Sequence, residues 1–247
     1  MKRKIWILTL ITLLCCNLSA QKYAEEFLNN QRSKQTCEKI YLRPASELIK
    51  TDIITLDSVN DSTVLSIFNQ ELINSLKFYG FEVEQVQNYP SNLKDNEHTL
   101  EISQIELEEY PFYDSITDDM NPKQKFYKQL SGVKVNVWLT YNAQKTEDKL
   151  IFYNERQIQS AIDGYFYQDN SKETFVTYQT VDVNPNDVYL ITDDNAAMCA
   201  EYFFNFLLNR YVYFKTNGED KNFYGISDHR TLITKKYPFA AFELLEQ

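Results

Sequence analysis

Glycine is scarce in this 247-residue chain, with 5 in total, and proline little commoner at 6. That scarcity excludes collagen-like and low-complexity architectures. It also removes the familiar glycine-rich loops that cradle phosphate, since those need close backbone approach. Histidine is rarer still. His98 and His229 have no Cys, His, Asp or Glu neighbours at metal-ligand spacing, and both read as exposed polar residues. Gly-x-Ser-x-Gly, Walker, His-Glu-x-x-His and Cys-x-x-Cys motifs are all missing. The expectation is therefore a protein without a cofactor, a metal or a catalytic set. Basic charge is also in deficit, with 25 Lys and Arg against 35 Asp and Glu. An acidic chain repels nucleic acid, so a nucleic-acid partner is not expected.

The first twenty residues carry the strongest positive signal. Met1-Lys2-Arg3-Lys4 is a basic opening, Ile5 to Cys16 is apolar, and Asn17-Leu18-Ser19-Ala20 ends on a small residue. This is the order of a secretory leader, and it is too short for a stable membrane span. Loss of Lys2, Arg3 and Lys4 with the leader takes the formal charge from −10 to −13. Two endings are open. Cleavage after Ala20 frees a soluble protein, whereas lipidation at Cys15 or Cys16 tethers it. The small-residue site is intact and the lipobox degraded, which favours the soluble form. The expected location is the periplasm or the outer membrane of a Gram-negative bacterium.

Export bears on the remaining cysteines. Cys37 and Cys199 enter a compartment that permits a disulfide. They form either one bridge or two buried thiols.

Residues 21–38 are mixed and polar, and read as a lead-in or tether with weak helical character. Residues 39–247 read as a single domain. Lys39 to Leu42 is a short strand. Leu65, Phe68, Leu72, Ile73 and Leu76 recur at helical spacing over 61–79, with Asp61 or Ser62 as cap and Gly80 as stop. Phe81 to Val86 begins another strand. Leu100 and Ile102 alternate, then Ile105 and Leu107 resume one residue out of phase, which predicts a β-bulge at Ser103-Gln104. Pro111 and Pro122 mark 111–130 as a polar excursion. Val133 to Tyr141 alternates as a strand with one face buried, and Leu150 to Tyr153 returns as its partner. Phe175 to Tyr178 and Val188 to Ile191 read as short strands or ordered loop. Asp193 or Asp194 opens a second helix through Tyr211. The expected fold is α+β, a mostly antiparallel sheet of about four to five strands with two main helices on one face.

Three side-chain groups invite chemistry. Glu106, Glu108 and Glu109, with Asp114 to Asp119, supply carboxylates of the kind glycosidases pair, but a solvated strand edge explains them better. Asp182, Asn184, Asn186 and Asp187 alternate as calcium ligands do, although an Asx- and Pro-rich turn accounts for them. Tyr110, Phe112 and Tyr113 form either a partner patch or a pin holding the excursion to the sheet. Trp138 is either a binding platform or strand packing.

The helix ending Tyr79-Gly80-Phe81-Glu82-Val83, the strands 100–107, 133–141 and 150–153, and the hairpin at Thr140 to Lys149 together resemble a known group of bacterial envelope domains. These are the TolB N-terminal region, the CsgG-type periplasmic domains, and the auxiliary lipoproteins of ABC transport and lipopolysaccharide assembly. The resemblance implies a non-catalytic protein that docks on an envelope protein partner, with a lipid tether as an option. A secreted hydrolase or carbohydrate-binding module is the alternative, and a periplasmic lipid carrier a further one.

Overall fold

The helix at Asp61–Phe78 (α2) shows how local sequence sets the architecture. Its cap is Asn60, one residue ahead of the expected Asp61 or Ser62. The Asn60 side chain accepts a hydrogen bond from the Thr63 N–H, satisfying a donor the helix cannot. Val64, Phe68, Leu72, Ile73 and Leu76 are buried along one face. At the far end the Gly80 N–H donates to the Lys77 carbonyl and the Phe81 N–H to the Leu76 carbonyl. Gly80 has φ +97°. This pair of bonds is a Schellman ending, which needs a left-handed residue at that position.

The structure is a computed structural model. It describes residues 20–33, 38–51, 58–117, 125–142, 149–157, 163–168, 176–180, 183–227, 231–236 and 243–244. For 109–117, 125–131, 142, 149–153, 163–168, 176–180 and 243–244 it gives the backbone course. The elements are α1 (20–33), β1 (Lys39–Arg43), β2 (Leu48–Thr51), α2, β3 (Glu82–Gln85), β4 (Glu97–Thr117), β5 (Lys125–Asn142), β6 (Lys149–Gln157), β7 (Asp163–Gln168), β8 (Val176–Thr180), α3 (Pro185–Lys215), β9 (Phe223–Ile226), β10 (Leu232–Lys235) and β11 (Glu243–Leu244).

The class is α+β, but the sheet is larger and more mixed than expected. Nine strands join in the order β11-β6-β5-β4-β1-β3, with β2 added on β4, β7 on β5 and β8 on β7. β1 runs parallel to both β3 and β4, and β2 parallel to β4. Parallel neighbours need a long crossover, and α2 supplies it between β1 and β3. The β4–β5 pair is antiparallel, and its register shifts between Ile102 and Gln104, where the out-of-phase alternation placed a bulge. Leu100, Ile102, Ile105 and Leu107 thereby stay buried opposite Tyr141, Leu139, Val137 and Val135.

Three other expectations change. The weak helical character expected within 21–38 is a packed helix over residues 20–33, with Ala20, Ala24, Phe27 and Leu28 in the core. The 111–130 excursion continues the β4–β5 ladder out to Thr117 and Lys125, because backbone pairing needs no apolar side chain. Helix α3 begins at Pro185, well before Asp193. Asn184 caps it and Pro185 occupies the first turn, where a missing N–H costs nothing. Val188, Thr192, Asn195, Ala196 and Cys199 then continue one buried helical face through the segment that reads as a short strand or ordered loop. Three helices therefore share one apolar layer with the sheet. Among the described residues no helix is long and apolar enough to cross a membrane.

A methyl group at Gly80 would meet the Gln31 carbonyl oxygen at 2.9 Å and its Cβ at 3.0 Å. Gly80→Ala is expected to cost about 1–3 kcal/mol through the forced positive φ and this contact with α1. A urea-unfolding midpoint reads the loss, and an unchanged midpoint refutes the α1–α2 approach.

Candidate functional site

Where α1, the start of β4, the end of β5 and the last turns of α3 meet, they line an open cavity of about 570 Å³. Phe27 comes from α1, Glu38 from the segment after it, and Asp95, Glu97 and His98 from the entry to β4. Tyr141 comes from β5. Leu207, Arg210, Tyr211, Phe214 and Lys215 come from α3. Local bonds set these positions. The Gln31 side chain, in the last turns of α1, accepts from the Glu38 N–H at 2.8 Å. The Lys39 N–H donates to the Asn96 carbonyl at 2.8 Å, which pins the β4 entry beside β1.

Four side chains in the cavity form one directional chain. Arg210 Nη1 donates to the Tyr141 hydroxyl at 3.2 Å. His98 Nδ1 lies 3.0 Å from that hydroxyl, and His98 Nε2 lies 2.7 Å from Glu38 Oε2. A carboxylate accepts, so Nε2 carries a proton; in the neutral ring Nδ1 then accepts from the Tyr141 hydroxyl. In that arrangement Arg210 donates at one end of the chain and Glu38 accepts at the other. Burial pushes the Tyr141 phenol up to about 12, with the Arg210 charge opposing. Glu97 is held below the usual carboxylate range, first by the Lys94 main-chain N–H at 2.9 Å and also by the Lys94 ammonium. The Tyr211 hydroxyl donates to Glu26 at 2.7 Å; burial and this carboxylate both raise its pKa.

His98 thus departs from the sequence expectation of an exposed residue. It is half-buried and tied at both nitrogens. The signals were Tyr141, whose hydroxyl sits on a core-facing position of the strongest strand, and Arg210, placed among apolar α3 residues. A buried hydroxyl demands a partner. His229 lies outside the described residues.

The other candidates do not converge here. Glu106 accepts from Thr51 Oγ1, and Glu108 accepts from Asn136 Nδ2 at 2.7 Å and pairs with Lys134 at 3.1 Å. These carboxylates hold strand neighbours together. For Glu109 and Asp114 the description stops at the backbone, and Asp118 and Asp119 lie outside it. Asn184 is spent on capping α3 and Asp187 lies in its first turn; Asp182 lies outside the described residues. Among the described residues no group of three or more side chains suits a metal. Tyr110, Phe112 and Tyr113 are on the outer half of β4, opposite Gly132, Leu130 and Gln129, and their side chains are outside the description. Trp138 is half-buried on β5, in register with Gln104 and Tyr153. Cys199 is a free, fully buried thiol, pushed up to about 12 by burial, and it donates to Asn195. Cys37, the other cysteine of the possible bridge, lies outside the described residues, as do Cys15 and Cys16.

No family model and no curated protein matches the chain. Among solved structures, a homolog of neuraminyllactose-binding hemagglutinin from Helicobacter pylori aligns with 12% identity and a TM-score of 0.40. The alignment covers 74% of this chain and 91% of that one. At that distance nothing about ligand or activity passes from one protein to the other.

Proposed function

We propose that this protein is a non-catalytic accessory protein of the bacterial envelope, exported by its leader and acting by contact with another envelope protein in transport or outer-membrane assembly. The observation that carries the reading is an exposed aromatic pair at the rim of the cavity. Tyr213 and Phe214 are 60% and 63% exposed on the last turn of α3, their rings 5.9 Å apart. Paired aromatic rings left in water suit a contact surface.

The test is affinity purification from envelope fractions with the wild type and a Tyr213→Ala, Phe214→Ala double variant. The wild type is expected to retain a discrete envelope protein and the variant to lose about tenfold or more of it. Equal recovery by both would overturn this contact surface. A glycan array bound by the wild type, with no protein partner recovered, would favour the carbohydrate-binding alternative.

A further inference from the structure

Among the charged side chains that line the cavity, the acids are committed. Glu38 pairs with His98 at 2.7 Å, Glu97 is held by the Lys94 N–H and ammonium, and Asp95 carries an interaction of its own. The two bases on α3 are not. Neither Arg210 nor Lys215 has a carboxylate within 4.0 Å among the described residues. Lys215 lies at the helix C-terminus, where it also complements the dipole. Arg210 sits more than a turn earlier, so that explanation does not extend to it.

Arg210 is also held still. Its guanidinium lies 5.6 Å from the Tyr141 ring and 5.4 Å from the Phe214 ring. One N–H is spent on the Tyr141 hydroxyl, which the His98–Glu38 pair fixes in turn. Four donors of the fork remain without another described partner. Long cationic side chains lose rotamer freedom when they grip a ligand, and here much of that loss is already incurred. Apolar walls stand alongside, from Phe27, Leu207 and Phe214.

We propose that this cavity is a carboxylate receptor, in which Arg210, with Lys215 beside it, grips the carboxylate of an acid whose apolar body packs on Phe27, Leu207 and Phe214. The two oxygens of a carboxylate match the planar guanidinium fork. A single negative charge suits the site better than a phosphate dianion, because Glu38, Asp95 and Glu97 line the same cavity. A volume of about 570 Å³ holds a small acid or the last residue of a chain. The inference stands apart from the contact reading, since purified protein suffices to test it.

The probes are phenylacetate with its neutral counterpart phenylacetamide, and N-acetylphenylalanine with N-acetylphenylalaninamide, titrated by calorimetry. Each acid is expected to bind about tenfold or more tightly than its amide, and Arg210→Gln to abolish that preference. The tighter of the two acids tells the source, a free acid or a chain terminus. Should Arg210→Gln lose its near-UV circular dichroism, Lys215→Gln at an exposed position takes its place, with a several-fold loss for the acids alone. Acid and amide binding alike, no binding of either acid, or a preference that survives the substitution overturns the receptor.

Discussion

Phe203→Ala is expected to lower the stability of the native protein by about 3–5 kcal/mol. Phe203 is fully buried in the middle of α3. Its ring lies 5.4 Å from that of Tyr141, 6.2 Å from Phe81 and 6.4 Å from Phe206. Truncation removes the transfer energy of the ring and leaves a void that three elements line, β5, α3 itself and the segment entering β3. β5 and β3 are held in a nine-stranded sheet, which resists moving in to fill it. The loss also reaches the cavity, because Tyr141 leans edge-on against Phe203 while its hydroxyl joins the Arg210–His98 chain. Urea unfolding followed by fluorescence measures the change. Phe214→Ala is the control: the ring is 63% exposed, and its loss should stay within about 0.5 kcal/mol. A Phe203→Ala loss as small as the control would refute the packing described for α3.

The contrast between these two phenylalanines, eleven positions apart on one helix, shows what sequence makes legible. Helical spacing places Phe203 on the apolar face and the helix read from sequence ends at Tyr211, short of Phe214; only the neighbours brought by the fold bury one and leave the other in water. The same holds across the molecule. The β4–β5 alternation, its bulge and the Gly80 ending of α2 are local patterns, and each is readable within a few residues. Helix α1 is not, because Phe27 is buried by Phe204 and Tyr211 from far along the chain. Nor are the parallel pairings of β1, which no pattern inside Lys39–Arg43 distinguishes from antiparallel ones. The cavity is the extreme case. His98 stands among Asp95, Asn96 and Glu97, a run that reads as solvent-facing, and its partners lie 60 and 43 positions away in the chain. Hydrogen-bond satisfaction across such separations is a tertiary property, and the sequence hint is limited to a hydroxyl and a guanidinium placed on otherwise apolar faces.

Alkaline pH is expected to unfold the protein through those buried phenols. Burial pushes Tyr141 up to about 12, against the pull of Arg210. Tyr89 is pushed to about 12 by burial and then by Glu101, with Arg43 opposing. Tyr202, Tyr211 and Tyr224 are raised as well, again with burial as the first cause. In the unfolded chain a tyrosine ionises near 10. Between about pH 10 and 12 the unfolded state therefore sheds protons that the native state keeps, and stability falls as pH rises. The contribution is whole below about pH 10 and lost as pH climbs through about 12. For Tyr141, 1% exposed, the two-unit rise corresponds to about 2–3 kcal/mol. Tyr89 adds less, since water reaches part of it and screens the charge. Urea midpoints at pH 8, 10 and 11.5, with tyrosinate absorbance recorded alongside, measure the effect. Midpoint and phenol ionisation should move together, and Tyr141→Phe should flatten part of the pH dependence while costing stability at pH 8 through the acceptor lost to Arg210. A midpoint that stays level from pH 8 to 11.5 would mean that these hydroxyls are open to water, and with them the wall of the cavity.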